Sequence, residues 1–124
     1  MKQVLFFLII SMVAFSCSPP KSFKSAENVT VSQARELIKS TNNLIILDVR
    51  TPEEWKEGVI SGAMTIDFFG ENFADKVGKL DSSRPVLVYC KAGGRSAKST
   101  QILENAGFSK IYNLLGGYSS YIEK

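Results

Sequence analysis

The sequence predicts a single α/β domain, on two observations. From about Val29 onward, short continuous apolar runs alternate with stretches whose apolar residues recur at helical spacing, and Gly, Pro or Asn punctuates the changes. The 124 residues are 44% apolar and 22% charged, enough for one ordinary hydrophobic core and no more.

The first helix is expected to be capped by Ser32, to turn Ala34, Leu37 and Ile38 to one face, and to end at Asn42 and Asn43. Leu44 to Leu47 with Val49 reads as a strand buried on both faces, as in a parallel sheet. Pro52 can open a short helix at its first position, with Glu53 to Glu57 following and Gly58 stopping it. Met64 to Ile66 is a brief strand, and Glu71 to Leu80 brings Phe73, Val77 and Leu80 together as a helix on the sheet. Trp55 and Phe73 are expected in the core or a pocket wall, and Phe68 with Phe69 as cover for the sheet. Pro85 forces a break before the buried strand Val86 to Tyr89. Ala97 to Ala106, with Ile102, Leu103 and Ala106 on one stripe, forms a helix that Gly107 terminates. Ile111 to Leu115 is the last strand, followed by Gly116, Gly117 and a short terminal helix.

The chain opens with Lys2 and an apolar run, Val4 to Phe15, interrupted only by Ser11 and too short to span a bilayer. Residues 1–16 therefore read as a signal peptide. Ala14, Phe15 and Ser16 precede Cys17 in an arrangement that resembles the bacterial lipobox, in which the cysteine at the cut is lipidated; Phe15 is larger than the motif usually carries. The expectation is a lipoprotein anchored to a bacterial membrane on its extracytoplasmic, periplasmic side through Cys17, with ordinary secretory cleavage or an uncleaved anchor as the alternatives. Residues 17–27 form a tether rich in Pro, Ser and Lys, and residues 28–124 form the domain.

A net charge of +3 spread along the chain argues against a nucleic-acid partner. The chain has no histidine, so it lacks the usual general base and the commonest nitrogen ligand; no metal and no cofactor is expected. With Cys17 lipidated, Cys90 is the only free thiol, either buried and inert or in use.

The run VLVYCKAGGRS, Val86 to Ser96, favours use. Cys90 sits at the carboxyl end of a central strand, where open α/β sheets bind ligands, and the residues after it lead into a helix N-terminus. Gly93 and Gly94 are expected at positive φ, curling the backbone so that successive N–H groups form an anion-binding nest at the positive end of a helix dipole. Lys91 and Arg95 are expected to add positive charge and, with the nest, to depress the thiol pKa without an imidazole.

CKAGGRS resembles the active-site loop of the rhodanese-like sulfurtransferases: Cys, a basic residue, any, Gly, any, then Arg or Thr. LDVRTPEEW (Leu47 to Trp55), EGVISGAMTID (Glu57 to Asp67) and LLGGYSSY (Leu114 to Tyr121) resemble further segments of the family in the same order. The resemblance implies a three-layer domain with a central five-stranded parallel sheet flanked by helices. It also implies a nucleophile, Cys90, that cycles between thiolate and persulfide within a cradle formed by Lys91, Ala92, Gly93, Gly94, Arg95 and Ser96. The expected partners are a small sulfur-donor anion such as thiosulfate and a thiol or cyanide acceptor, with a protein sulfur acceptor as a further case.

Val59 stands where the family has histidine and Tyr121 where Trp is common; neither alters the thiol loop. Asp48 and Arg50, at a strand end, are expected to support the loops by charge-assisted hydrogen bonds. One alternative is a cysteine phosphatase or arsenate reductase, disfavoured because only four residues separate Cys90 from Arg95 where that pattern has five. Another is a carrier that holds a persulfide on an exposed Cys90 and hands it to a docked protein.

Overall fold

Apolar tetrads in a chain of this length can be buried on both faces only if helices cover both sides of the sheet they form. A computed structural model describes residues 26–123 and shows that arrangement. The expected leader (1–16), Cys17 and most of the tether lie outside the described residues. The elements run β1 (Glu27–Val29), α1 (Val31–Ser40), β2 (Ile45–Asp48), α2 (Pro52–Trp55), β3 (Met64–Thr65), α3 (Phe73–Gly78), β4 (Val86–Tyr89), α4 (Gly94–Asn105), β5 (Ile111–Leu114) and α5 (Gly117–Ile122). The strands form one parallel sheet in the order β1-β5-β4-β2-β3.

Side chains alternate across a strand, and this splits the core in two. Ile45, Leu47 and Val49 with Val86, Val88 and Cys90 pack against Phe73 and Val77 of α3 and Leu103 of α4. Ile46, Leu87 and Tyr89 point the other way, to Ala34 of α1 and to Tyr118 and Tyr121 of α5. The domain is therefore three layers, α3 and α4 on one face and α1 and α5 on the other.

Several local expectations need correction. The N-cap of α1 is Thr30, not Ser32: the Thr30 hydroxyl accepts the Gln33 amide at 3.2 Å and the Gln33 side chain accepts the Thr30 amide at 2.9 Å, a reciprocal pair that Ser32, inside the first turn, does not make. α3 begins only at Phe73, after Asn72 at φ 59°, and Leu80 packs on the core from beyond its end. α4 starts three residues earlier than the apolar stripe implies. Phe68 packs edge-on against Phe73, but Phe69 does not cover the sheet: it is 69% exposed. Of the two places expected for Trp55, the core is excluded: it is half-buried and belongs to neither core cluster.

The end of β2 carries a fully buried ion pair. Asp48 Oδ1 and Oδ2 accept Arg50 Nε at 3.0 and 3.1 Å, Oδ2 accepts Nη2 at 2.7 Å, and Oδ1 also accepts the Arg50 backbone N–H at 2.9 Å. Arg50 Nη2 further donates to the Gly58 carbonyl at 2.6 Å, and its guanidinium lies 4.0 Å from the centre of the Tyr118 ring. Arg50 thus joins the β2 end to the turn after α2 and to α5. Removing one member of a buried pair leaves the other charge unpaired, so Arg50→Met is expected to cost about 3–5 kcal/mol in urea unfolding, with Asp48→Leu/Arg50→Met recovering much of that loss.

Candidate active site

β2 and β4 are neighbours in the sheet, but the chain leaving β2 travels outward to β3 while the chain leaving β4 turns back to β5. That divergence opens a crevice at the carboxyl ends of the two strands, the usual ligand position in such sheets. Asp48 and Tyr89, paired in register, mark the floor, and Cys90 follows on one side as Arg50, Thr51 and Glu54 follow on the other.

Cys90 keeps the parity of Val86 and Val88, so its side chain turns into the α3/α4 side of the core and is 1% exposed. Its sulfur accepts the Gly93 N–H at 3.0 Å and lies 3.4 Å from Ser96 Oγ. Burial by itself pushes the thiol up. The Ser96 hydroxyl and the amides of Ser96, Gly93 and Ala92 outweigh it and hold the thiol below its ordinary value. A buried sulfur that receives several donors is poised to ionise without a base.

The loop geometry is made by Gly93 alone, at φ 115°. Gly94, expected to share that role, is the first residue of α4, and a Cβ there would meet open space. Ala92 is exposed and contributes its amide. Ser96 is fully buried, and its hydroxyl also reaches the Gly93 carbonyl at 3.1 Å.

Neither cation touches the sulfur, although Arg95 acts on the Cys90 charge through space as expected. The Arg95 fork grips Glu54, Nη1 to Oε2 and Nη2 to Oε1, both at 2.7 Å. That grip, helped by the Thr51 contacts and against the upward push of burial, holds the Glu54 carboxyl down to about 2. Lys91 is exposed and makes no ion pair among the described residues. Amides and a hydroxyl, not cation contacts, hold the sulfur.

Two residues of the site were not singled out from the sequence. Glu54 was signalled by the capping pattern Thr51-x-x-Glu54, in which the Glu54 carboxylate accepts the Thr51 amide at 2.9 Å and the Thr51 hydroxyl accepts the Glu54 amide at 3.4 Å. Gly117 stands in the sequence only as a residue ahead of the terminal helix and within a family segment. The first turn of α5 holds the loop from behind: Tyr118 N–H donates to the Cys90 carbonyl at 2.7 Å and Ser119 N–H to the Lys91 carbonyl at 3.0 Å. Gly117, at φ 58°, lets the two backbones meet, since a Cβ there would overlap the carbonyls of Cys90 and Lys91.

Val59 is 39% exposed, while the following amide, of Ile60, donates to the buried Tyr89 hydroxyl at 3.0 Å. Tyr121 packs on the α1/α5 core beneath Arg35, whose Nη2 donates to the Tyr121 carbonyl at 2.6 Å. Among the described residues no group of three or more Cys, Asp or Glu is placed to hold a metal ion.

The same order of elements and loops occurs in known proteins. The chain is 33% identical over 104 residues to thiosulfate sulfurtransferase 16, chloroplastic, of Arabidopsis thaliana, a match covering 76% of this chain and 85% of that protein. It is 33% identical over 96 residues to the probable adenylyltransferase/sulfurtransferase MoeZ of Mycobacterium tuberculosis, covering 77% of this chain but only 24% of that longer protein. Among solved structures, SSP1007 of Staphylococcus saprophyticus superposes with a TM-score of 0.67 at 35% identity, over 77% of this chain and 92% of that one. Residues 30–124 match the Rhodanese-like domain as a whole, from the cap of α1 through α5, and the chain belongs to that family.

Proposed function

We propose that this protein is a rhodanese-type sulfurtransferase in which Cys90 carries the sulfur. The observation that bears the reading is a buried thiol held by the Gly93 amide and the Ser96 hydroxyl in a chain without histidine. Relatives bearing the name thiosulfate sulfurtransferase support it.

In the first half-reaction the Cys90 thiolate attacks the sulfane sulfur of a donor. The donor's S–S bond breaks, its electron pair leaves with the remainder of the donor (sulfite when the donor is thiosulfate), and Cys90 becomes a persulfide. A thiolate or cyanide acceptor then attacks the outer sulfur, and the electron pair of that S–S bond returns to Cys90. The Ser96 hydroxyl has one proton and two acceptors within reach, the Gly93 carbonyl and the Cys90 sulfur, so it can turn to the sulfur whenever negative charge resides there. The nest amides of Ala92 and Gly93 serve the same charge without reorganising, which lowers the barrier in both directions.

Two features weigh on the alternatives. Cys90 is 1% exposed, so a donor must enter the loop mouth rather than lie across a surface, which suits a small molecule or the narrow end of a carrier. The Arg95 fork is taken up by Glu54, so it is not presented to a tetrahedral oxyanion as phosphatase chemistry requires. The sequence at Cys17 supports a membrane-anchored, extracytoplasmic location for this activity.

Cys90→Ser is expected to lower thiosulfate-to-cyanide transfer by about 10³-fold or more and to abolish the persulfide adduct seen by mass spectrometry after thiosulfate treatment. Alkylation by iodoacetamide across pH should show a midpoint below that of free cysteine, and Ser96→Ala should move it upward; an unmoved midpoint refutes the role of the hydroxyl. Cys17→Ala is expected to release the protein from the membrane fraction or leave it unprocessed, and unchanged fractionation and processing would argue against lipidation.

A further inference from the structure

Two helices of this domain open with the same reciprocal cap. In α1 the pair is Thr30 and Gln33, and in α2 it is Thr51 and Glu54. The neutral amide of Gln33 accepts the cap N–H at 2.9 Å, and the Glu54 carboxylate does so at the same distance. The cap therefore does not call for a negative charge at its third position. What distinguishes Glu54 is its second engagement: both carboxylate oxygens accept from Arg95, across 41 residues of sequence, beside the loop that holds the sulfur. The Glu54 and Arg95 side chains are 18% and 19% exposed, so the pair stands at the edge of the site, partly shielded from water.

Arg95 directly precedes Ser96, whose hydroxyl and amide serve the thiolate. An unpaired guanidinium at this place would draw an anionic donor toward Cys90. Here the full negative charge of Glu54 offsets it. The Arg95 guanidinium also lies 5.8 Å from the centre of the Phe69 ring, and Phe69 is 69% exposed. The mouth thus offers a neutralised ion pair, an uncovered aromatic ring and one exposed cation, Lys91. Together these favour a donor with an organic body and little negative charge over a compact dianion.

We propose that Glu54 is a positioning residue that sets donor preference by holding and neutralising Arg95, so that the site takes its sulfur from organic persulfides in preference to thiosulfate. This rests on Cys90 being the sulfur carrier. The step balances without an added reductant: the Cys90 thiolate attacks the outer sulfur of R–S–SH, the S–S bond breaks, RS⁻ leaves with the electron pair, and the proton stays on the transferred sulfur, giving Cys90–S–SH. The organic group R lies against Phe69.

The test is the second-order rate of Cys90 persulfide formation, read by mass spectrometry under single-turnover conditions on the full chain in detergent at low ionic strength. The donors are benzyl persulfide and thiosulfate, and each rate is divided by that of free cysteine thiolate with the same donor. The wild-type protein is expected to favour benzyl persulfide at least about tenfold on this scale. Glu54→Gln, which keeps the cap that Gln33 makes in α1, is expected to raise the thiosulfate rate about tenfold relative to the persulfide rate. That gain should shrink at high salt and vanish in Glu54→Gln/Arg95→Gln, outcomes that a merely structural role for Glu54 would not produce. A wild-type protein that takes thiosulfate as readily as benzyl persulfide overturns the proposal, and this comparison needs no variant. A folded Glu54→Gln protein whose relative thiosulfate rate is unchanged or lower overturns it too. In both cases the sulfur-carrier role of Cys90 stands, whereas absence of Cys90 persulfide with either donor overturns both readings together.

Discussion

A sulfur taken out of water can carry negative charge only if it is given hydrogen-bond donors in exchange, and the architecture around Cys90 meets that requirement. The chain has no histidine to supply, and its Arg95 is engaged elsewhere, so the donors are backbone amides and one hydroxyl. Amides point inward only if their carbonyls point outward, and outward-facing carbonyls need partners of their own. The first turn of α5 provides them, taking the Cys90 and Lys91 carbonyls with the amides of Tyr118 and Ser119. The loop is thus a polar ribbon with the sulfur on one side and α5 on the other, and Gly117 is small because the ribbon passes directly over it.

The same helix end also serves the buried charges of β2. Tyr118 holds the Cys90 carbonyl with its backbone, while its ring stacks on Tyr89 and lies beneath the Arg50 guanidinium. Gly58 admits the Tyr118 hydroxyl where a Cβ would strike it, and offers its carbonyl to Arg50. The support of the thiol loop and the burial of the Asp48–Arg50 pair therefore share a residue, Tyr118. A change at Tyr118 or Gly58 acts on stability and on the placement of the sulfur together, and the effects at this crossing are not expected to add.

Features that depend on neighbours in the chain were readable in the sequence. Val86 to Tyr89 announced a buried strand because four consecutive apolar residues between Pro85 and a glycine loop have no amphipathic alternative, and the Cys90 loop followed from what came next. The family resemblance supplied the five parallel strands, and the sheet has them. β1 was not read as an element by itself, since three residues with two of them exposed present no apolar pattern. The partner of Arg95 was hidden for a different reason: it lies 41 positions away, brought close by the switch between β2 and β4. Gly93 and Gly94 look alike in sequence, yet only the one preceding the helix takes positive φ. Ser32 and Thr30 could each cap α1, and the choice fell to the one with Gln33 three residues on.

The strands that end the sheet are its shortest. β1 has three residues, and β3 has two, Met64 and Thr65, both exposed. Unpaired strand backbone is a template for another chain, and a border of two or three residues offers too few hydrogen bonds for a stranger's strand to dock in register. The longer strands that could template such growth are β2, β4 and β5, and each is flanked on both sides. The domain can therefore be concentrated with little tendency to extend its sheet into an aggregate.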